Sequence, residues 1–256
     1  MIRSLPLAAA VLASALIAPA AGAQMTESSA EVRFQLDLKV PDAAIARYVP
    51  QGWSLNVAAQ GPARDANLRL IFVDRITING PDGRPAGRTG SSRLVYLAAP
   101  VKDPDGAPVQ LIVGGLTDDP AGVPGPFGNF LLASTHSMRR ATSSGSGAVV
   151  ESQDWVFAAA SGEHLEMHVT FERGAGNRNN PSESRLYSAK DPAVFQVSMQ
   201  EQVLDILRNT TTTPPDRVKA FSLKASGGSY AALFDGTERV LSWDNIPYFN
   251  RAVLAR

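Results

Sequence analysis

The chain has 256 residues and a mass of 27.1 kDa, with 24 basic and 24 acidic side chains. Hydrophobic residues make up 44% and charged residues 19%, a globular profile without the basic excess expected for nucleic-acid or anionic-membrane partners. The absence of cysteine excludes disulfides, thiolate metal centres, iron–sulfur clusters and a thiol nucleophile.

Residues 1–23 read as a secretory signal. Arg3 is the positive end, Leu5 to Ala21 is apolar and uncharged, and Ala21-Gly22-Ala23 fits small-x-small cleavage after Ala23. The segment predicts a periplasmic or secreted protein of bacterial style, with residues 24–256 as one domain. No later run reaches the length of a membrane span.

Beyond it, period-two alternation dominates. Val32, Phe34, Leu36 and Leu38 alternate with polar neighbours, and so do Leu165, Met167, Val169 and Phe171. Such alternation marks half-buried strands. Further strands are predicted over 52–57, 66–77, 91–99, 108–115, 129–135, 148–158, 194–208, 218–225 and 237–254, the last as one strand or two. Pro41 to Tyr48 predicts a short helix, opened by Pro41 and Asp42. Residues 229–234 predict a second helical turn. The stretch 174–192, rich in Gly, Asn, Pro and Ser, reads as a long functional loop. The fold class expected is mostly β: an antiparallel sheet closed into a barrel or cone with a few short helices, because closure removes exposed edges.

Several segments carry candidate chemistry. Gly227-Gly228-Ser229-Tyr230-Ala231 has the outline of a nucleophile elbow. The histidines (His136, His164, His168) all precede it, against the Ser–acid–His order, so a Gly-Gly turn is expected. The prolines of the Gly122–Gly128 stretch remove amide donors that a phosphate cradle needs. On a strand, His164, Glu166 and His168 share one face about 6–7 Å apart. They read as the polar side of an amphipathic strand, and no metal is assigned. His136-Ser137-Met138-Arg139-Arg140 sets an imidazole beside two guanidiniums able to clamp a carboxylate.

Residues 34–75 carry a further pattern: a strand, Pro41-Asp42-Ala43-Ala44-Ile45, Tyr48-Val49-Pro50-Gln51-Gly52, and the apolar run Leu68-Arg69-Leu70-Ile71-Phe72. Tyr96, Ala107 to Val113, Asp118-Asp119-Pro120, Arg139-Arg140, Phe234 to Glu238 and Ile246-Pro247-Tyr248 follow in order. The whole resembles the acetoacetate decarboxylase-like superfamily over most of the chain after residue 23. That family forms a Schiff base between a lysine and a β-keto acid. The resemblance places Met138-Arg139-Arg140 at the family's lysine segment, and arginine stays protonated. It places the family's two active-site carboxylates at Ile71 or Val73, and at Ala98.

What the resemblance implies is a cone with an apolar interior and arginine-rich polar positions. The expected ligand is a small or amphipathic organic acid or carbonyl compound, bound without imine decarboxylation and without a cofactor. Arg139 or Arg140 would pair its charged end, and His136 and His168 would supply hydrogen bonds or, in an enzyme of lyase or hydrolase type, acid–base chemistry near neutral pH. The other alternative is a non-catalytic envelope protein that binds partners.

Overall fold

A computed structural model describes residues 24–123, 125–145, 147–210 and 216–255; the signal reading of 1–23 lies outside them. Among the described residues thirteen strands run in chain order: β1 Met25–Lys39, β2 Ser54–Leu55, β3 Leu68–Asn79, β4 Ser92–Lys102, β5 Pro108–Thr117, β6 Phe130–Ser144, β7 Val149–Ala159, β8 His164–Glu172, β9 Asn177–Arg178, β10 Ser182–Ser188, β11 Phe195–Asn209, β12 Val218–Ser226 and β13 Arg239–Leu254. One short helix, α1 Asp42–Ala46, follows β1, and single 3-10 turns occupy 120–122 and 228–230. Among the described residues no helix is long and apolar enough to cross a membrane.

Seven strands close a barrel in the order β5-β10-β11-β13-β1-β3-β4, with β4 pairing back onto β5. A second sheet, β6-β7-β8-β12, joins it through a short parallel pairing of β5 with β6. Gly115 permits that junction. A Cβ there would sit 2.6 Å from the Val95 carbonyl oxygen and collide with the Phe130 ring.

The apolar alternation of β1 decides how the layers pack. Phe34, Leu36 and Leu38 point out of the barrel, into one core with Leu70 and Phe72 of β3 and Leu165, Met167, Val169 and Phe171 of β8. Phe34 meets Phe171 at 5.8 Å between ring centroids, and Phe72 meets Trp155 of β7 at 5.7 Å. The barrel wall and the second sheet thus form two layers around the main core. A smaller apolar cluster, including Ile71, Val73, Tyr96, Ile112 and Leu186, lies within the barrel. β3 is buried on both faces, which is why Leu68 to Val73 reads as a nearly unbroken apolar run.

One expectation is corrected and one alternative is decided. The stretch 174–192 contains β9 and β10, and β10 is a barrel stave, antiparallel to β11 and parallel to β5. Its sequence Ser-Glu-Ser-Arg-Leu-Tyr-Ser is polar on both faces, so hydropathy does not flag it. Of the two alternatives for the end of the chain, the structure has the single strand. Its register shifts between Ile246 and Phe249, and this irregularity accommodates Pro247.

Candidate functional site

The barrel interior is built from the residues that alternate with the outward apolar stripe. On β1 these are Glu31, Arg33, Gln35 and Asp37, and β3 sets Arg75, Val73, Ile71 and Arg69 directly beside them. They enclose a cavity of about 390 Å³ lined by Arg33, Gln35, Asp37, Arg69, Ile71, Tyr96, Ala98, Gln110, Gln200, Gln202, Asp244, Ile246 and Phe249, among others. Pro62 and Ala63, from the loop between β2 and β3, stand over it. That loop is tied down at Asn67, whose side chain exchanges two 2.9 Å hydrogen bonds with the backbone of Val40. To the expected apolar wall and arginines the interior adds carboxyl groups and amides. Period two separates two faces of a strand but does not say which face looks into a barrel.

Two carboxyl groups, Asp37 and Asp244, lie side by side on one wall of this space. Gln35 Nε2 lies 3.4 Å from an oxygen of Asp37 and 3.4 Å from an oxygen of Asp244. Arg69 Nε donates to Asp37 at 3.1 Å, and Ser242 Oγ donates to Asp244 at 2.7 Å. Burial raises the Asp244 carboxyl to about 7, with the Asp37 charge adding to the effect. Burial also raises Asp37, and the Arg69 guanidinium works against that rise. The two residues are 2% and 4% exposed.

Towards the start of β1, the barrel interior is filled by ions. Glu31 pairs with Arg33 at 2.5 Å and lies 3.4 Å from both Arg75 and Arg251. Glu27 joins Arg75 at 2.5 Å and Arg251 at 2.6 Å. Burial alone would raise the Glu31 carboxyl, but the Arg33, Arg251 and Arg75 charges and the Ser29 hydroxyl hold it at about 2. Arg33 is fixed by this cage, by a 3.3 Å contact with the Tyr96 hydroxyl and by stacking on Phe249, 3.3 Å from the ring centre. One edge of its guanidinium is thereby held at the cavity floor.

The residues singled out from sequence stand elsewhere. β6 pairs with the barrel only as far as Leu132 and then runs along β7, carrying His136, Arg139 and Arg140 away from the cavity. All three are exposed, and His136 Nε2 lies 3.9 Å from Asp118. Arg140 contributes to the field at Asp74, on the outer side of the barrel wall. His168 lies on the second sheet with Nδ1 2.5 Å from Asp154, and His164 turns to Glu166 at 3.3 Å. The β8 trio is thus split between two partnerships, with Leu165, Met167 and Val169 in the core. Ser229 donates to Glu163 at 3.1 Å from the turn made by Gly227 and Gly228, both at positive φ.

Two aligned positions do reach the cavity. Ile71 and Ala98, matched by resemblance to the family's carboxylates, both line it. The carboxyl groups come instead from β1 and β13. In the sequence Arg33, Gln35 and Asp37 carry no signal of a site, because polar residues alternating with apolar ones read as a solvent face. None of the chain's five lysines (39, 102, 190, 219 and 224) is among the lining residues, and each lies exposed or half-exposed.

No protein-family model and no curated protein matches the chain. Its structure is similar to that of the enduracididine biosynthesis enzyme MppR, solved with the condensation product of pyruvate and imidazole 4-carboxaldehyde. That match has a TM-score of 0.52 and 11% identity, over 90% of this chain and 87% of the other. It is also similar to an acetoacetate decarboxylase-like enzyme from Sphingomonas wittichii RW1, with a TM-score of 0.54 and 9% identity over 91% of each chain. Identities this low speak to architecture alone. The order of motifs in the sequence and the seven-stranded barrel with its attached sheet agree: the chain has an acetoacetate decarboxylase-like fold.

Proposed function

We propose that the barrel cavity binds a small or amphipathic organic acid or carbonyl compound, and that the protein does not decarboxylate through a lysine imine. One observation carries this reading: the cavity presents two guanidiniums and four primary amides, and no lysine among its lining residues. Its size and its mixture of apolar wall with a few placed polar groups suit a small ligand. With Asp244 protonated, Arg33 and Arg69 face the single charge of Asp37, and the ion cluster beneath adds Arg75 and Arg251 against Glu27 and Glu31. The balance is one positive charge, which favours a monoanion. The pyruvate-derived product in the MppR structure belongs to the same chemical class. Residues 1–23 support the further proposal that the protein works outside the cytoplasm.

A thermal-shift screen with keto acids, aromatic acids and fatty acids tests the reading. A ligand at about 100 times its Kd stabilises by about 2.7 kcal/mol. Borohydride treatment with acetoacetate is expected to leave the mass unchanged, and a lysine adduct would refute the imine-free reading. If no compound in the screen binds, the organic-acid assignment falls and a partner-binding envelope protein becomes the better description.

A further inference from the structure

Resting on that reading, we propose that Asp37 and Asp244 act as a base–acid pair that moves a proton from the carbon next to a bound ligand's carbonyl group to the carbonyl oxygen. Both carboxyl groups line the cavity and are almost fully buried. They come from neighbouring strands, with Gln35 paired to Asp244 and Asp37 to Ser242 in the β1–β13 register. The shared Gln35 amide keeps them side by side without neutralising either.

Their surroundings differ in the sense that acid–base chemistry requires. Asp37 has the cation, through Arg69, which favours its charged form against the effect of burial. Asp244 has no ion-pair partner among the described residues; it has a serine hydroxyl, an amide and the negative charge of Asp37. It therefore keeps its proton close to neutral pH. The charged groups that share the cavity with the pair are Arg69 on β3, which opposes the rise at both carboxyls, and Arg33 on β1; Tyr96 on β4, Gln110 on β5, and Gln200 and Gln202 on β11 complete the polar lining. Two buried carboxyl groups side by side oppose folding once both are ionised, and packing alone gives no reason to keep them. Gln110, which also lines the cavity, keeps its buried Oε1 without a hydrogen-bond partner among the described residues.

The step balances without an oxidant or a metal. The Asp37 carboxylate takes the α-proton as the C–H bond breaks. That electron pair forms the C=C bond, the carbonyl π pair moves to oxygen, and the oxygen takes the Asp244 proton. The enol leaves Asp37 protonated and Asp244 ionised, and the reverse step restores the ketone. Solvent exchange at the pair then places deuterium on the α-carbon.

The test is proton NMR of 2-oxobutyrate, phenylpyruvate and 4-oxopentanoate in heavy water with the purified protein, beside thermal shift with the same compounds. The expected result is loss of the α-proton signal at least about tenfold above background for a compound that binds. Asp37→Asn should lower that rate by about 100-fold or more, and Asp244→Asn by about tenfold or more, with binding retained. The wild-type rate should fall as pH rises through about 7, where Asp244 loses its proton. Ser242→Ala, which removes a donor to the ionised form, should move that fall to higher pH; it also serves if an Asn variant fails to fold. Binding without exchange, or unchanged exchange in the Asn variants, overturns the acid–base pair and leaves the binding reading standing. Neither binding nor exchange overturns both.

Discussion

Asp37 and Asp244 approach the same nitrogen, Nε2 of Gln35, at 3.4 Å each. A titration consequence follows for folding. The Asp244 carboxyl lies near 3.8 in the unfolded chain and near 7 in the folded one. The native state therefore binds more protons across that window. This group's contribution to stability is fully present below the unfolded value and is lost as pH rises through the folded value. We expect Asp244→Asn to destabilise less, relative to wild type, at about pH 8 than at about pH 5, the difference being on the order of a few kcal/mol. Thermal unfolding midpoints of both proteins at the two pH values check it.

Glu31 has the opposite sign. Its carboxyl is held at about 2, so its contribution is present above the ordinary value of 4.5 and lost as pH falls towards 2. Glu31→Gln strips the shared carboxylate from Arg33, Arg75 and Arg251 at once. The expected cost is about 3–5 kcal/mol, because Arg33 loses its carboxylate partner and Arg75 and Arg251 are left to share Glu27. Urea unfolding at neutral pH measures it.

Trp155 marks the seam between barrel and second sheet. Its ring lies 5.7 Å from Phe72 and 6.4 Å from Phe157, and its Nε1 donates to Gln153 at 3.0 Å. Trp155→Ala should cost about 3–5 kcal/mol through the cavity it opens and the buried amide it strands. Denaturant unfolding gives the loss directly.

A ligand found for the barrel cavity separates its lining from the outer surface. Arg69→Ala removes a lining guanidinium and should weaken an acidic ligand about tenfold or more, about 1.4 kcal/mol. Arg139→Ala and His168→Ala should leave its affinity unchanged, since neither residue lines the cavity. Isothermal titration of the three variants checks the distinction.

At Gly115, an added methyl meets the Val95 carbonyl and the Phe130 ring. At Gly106, which has φ +82, the same methyl meets open space. Gly115→Ala should therefore lower the unfolding midpoint more than Gly106→Ala, where the cost is about 1–2 kcal/mol of left-handed backbone strain alone.

The strand pattern, the short helix at Asp42–Ala46 and the turn at Gly227-Gly228 were legible in the sequence, because each rests on a local rule: alternation, a proline-opened helix start, glycine's access to positive φ. Motif order also pointed to the acetoacetate decarboxylase-like fold. The site was not legible. Whether Phe34 or Arg33 faces the inside of a barrel depends on which surface the second sheet covers. That sheet takes the apolar stripe and leaves Arg33, Gln35 and Asp37 to the interior. The departure of β6 from the barrel at Leu132, and the closure by a polar stave at Ser182–Ser188, are likewise products of pairing between distant strands. Local residue preferences set the faces of each strand; only closure of the sheet determined which face became a cavity.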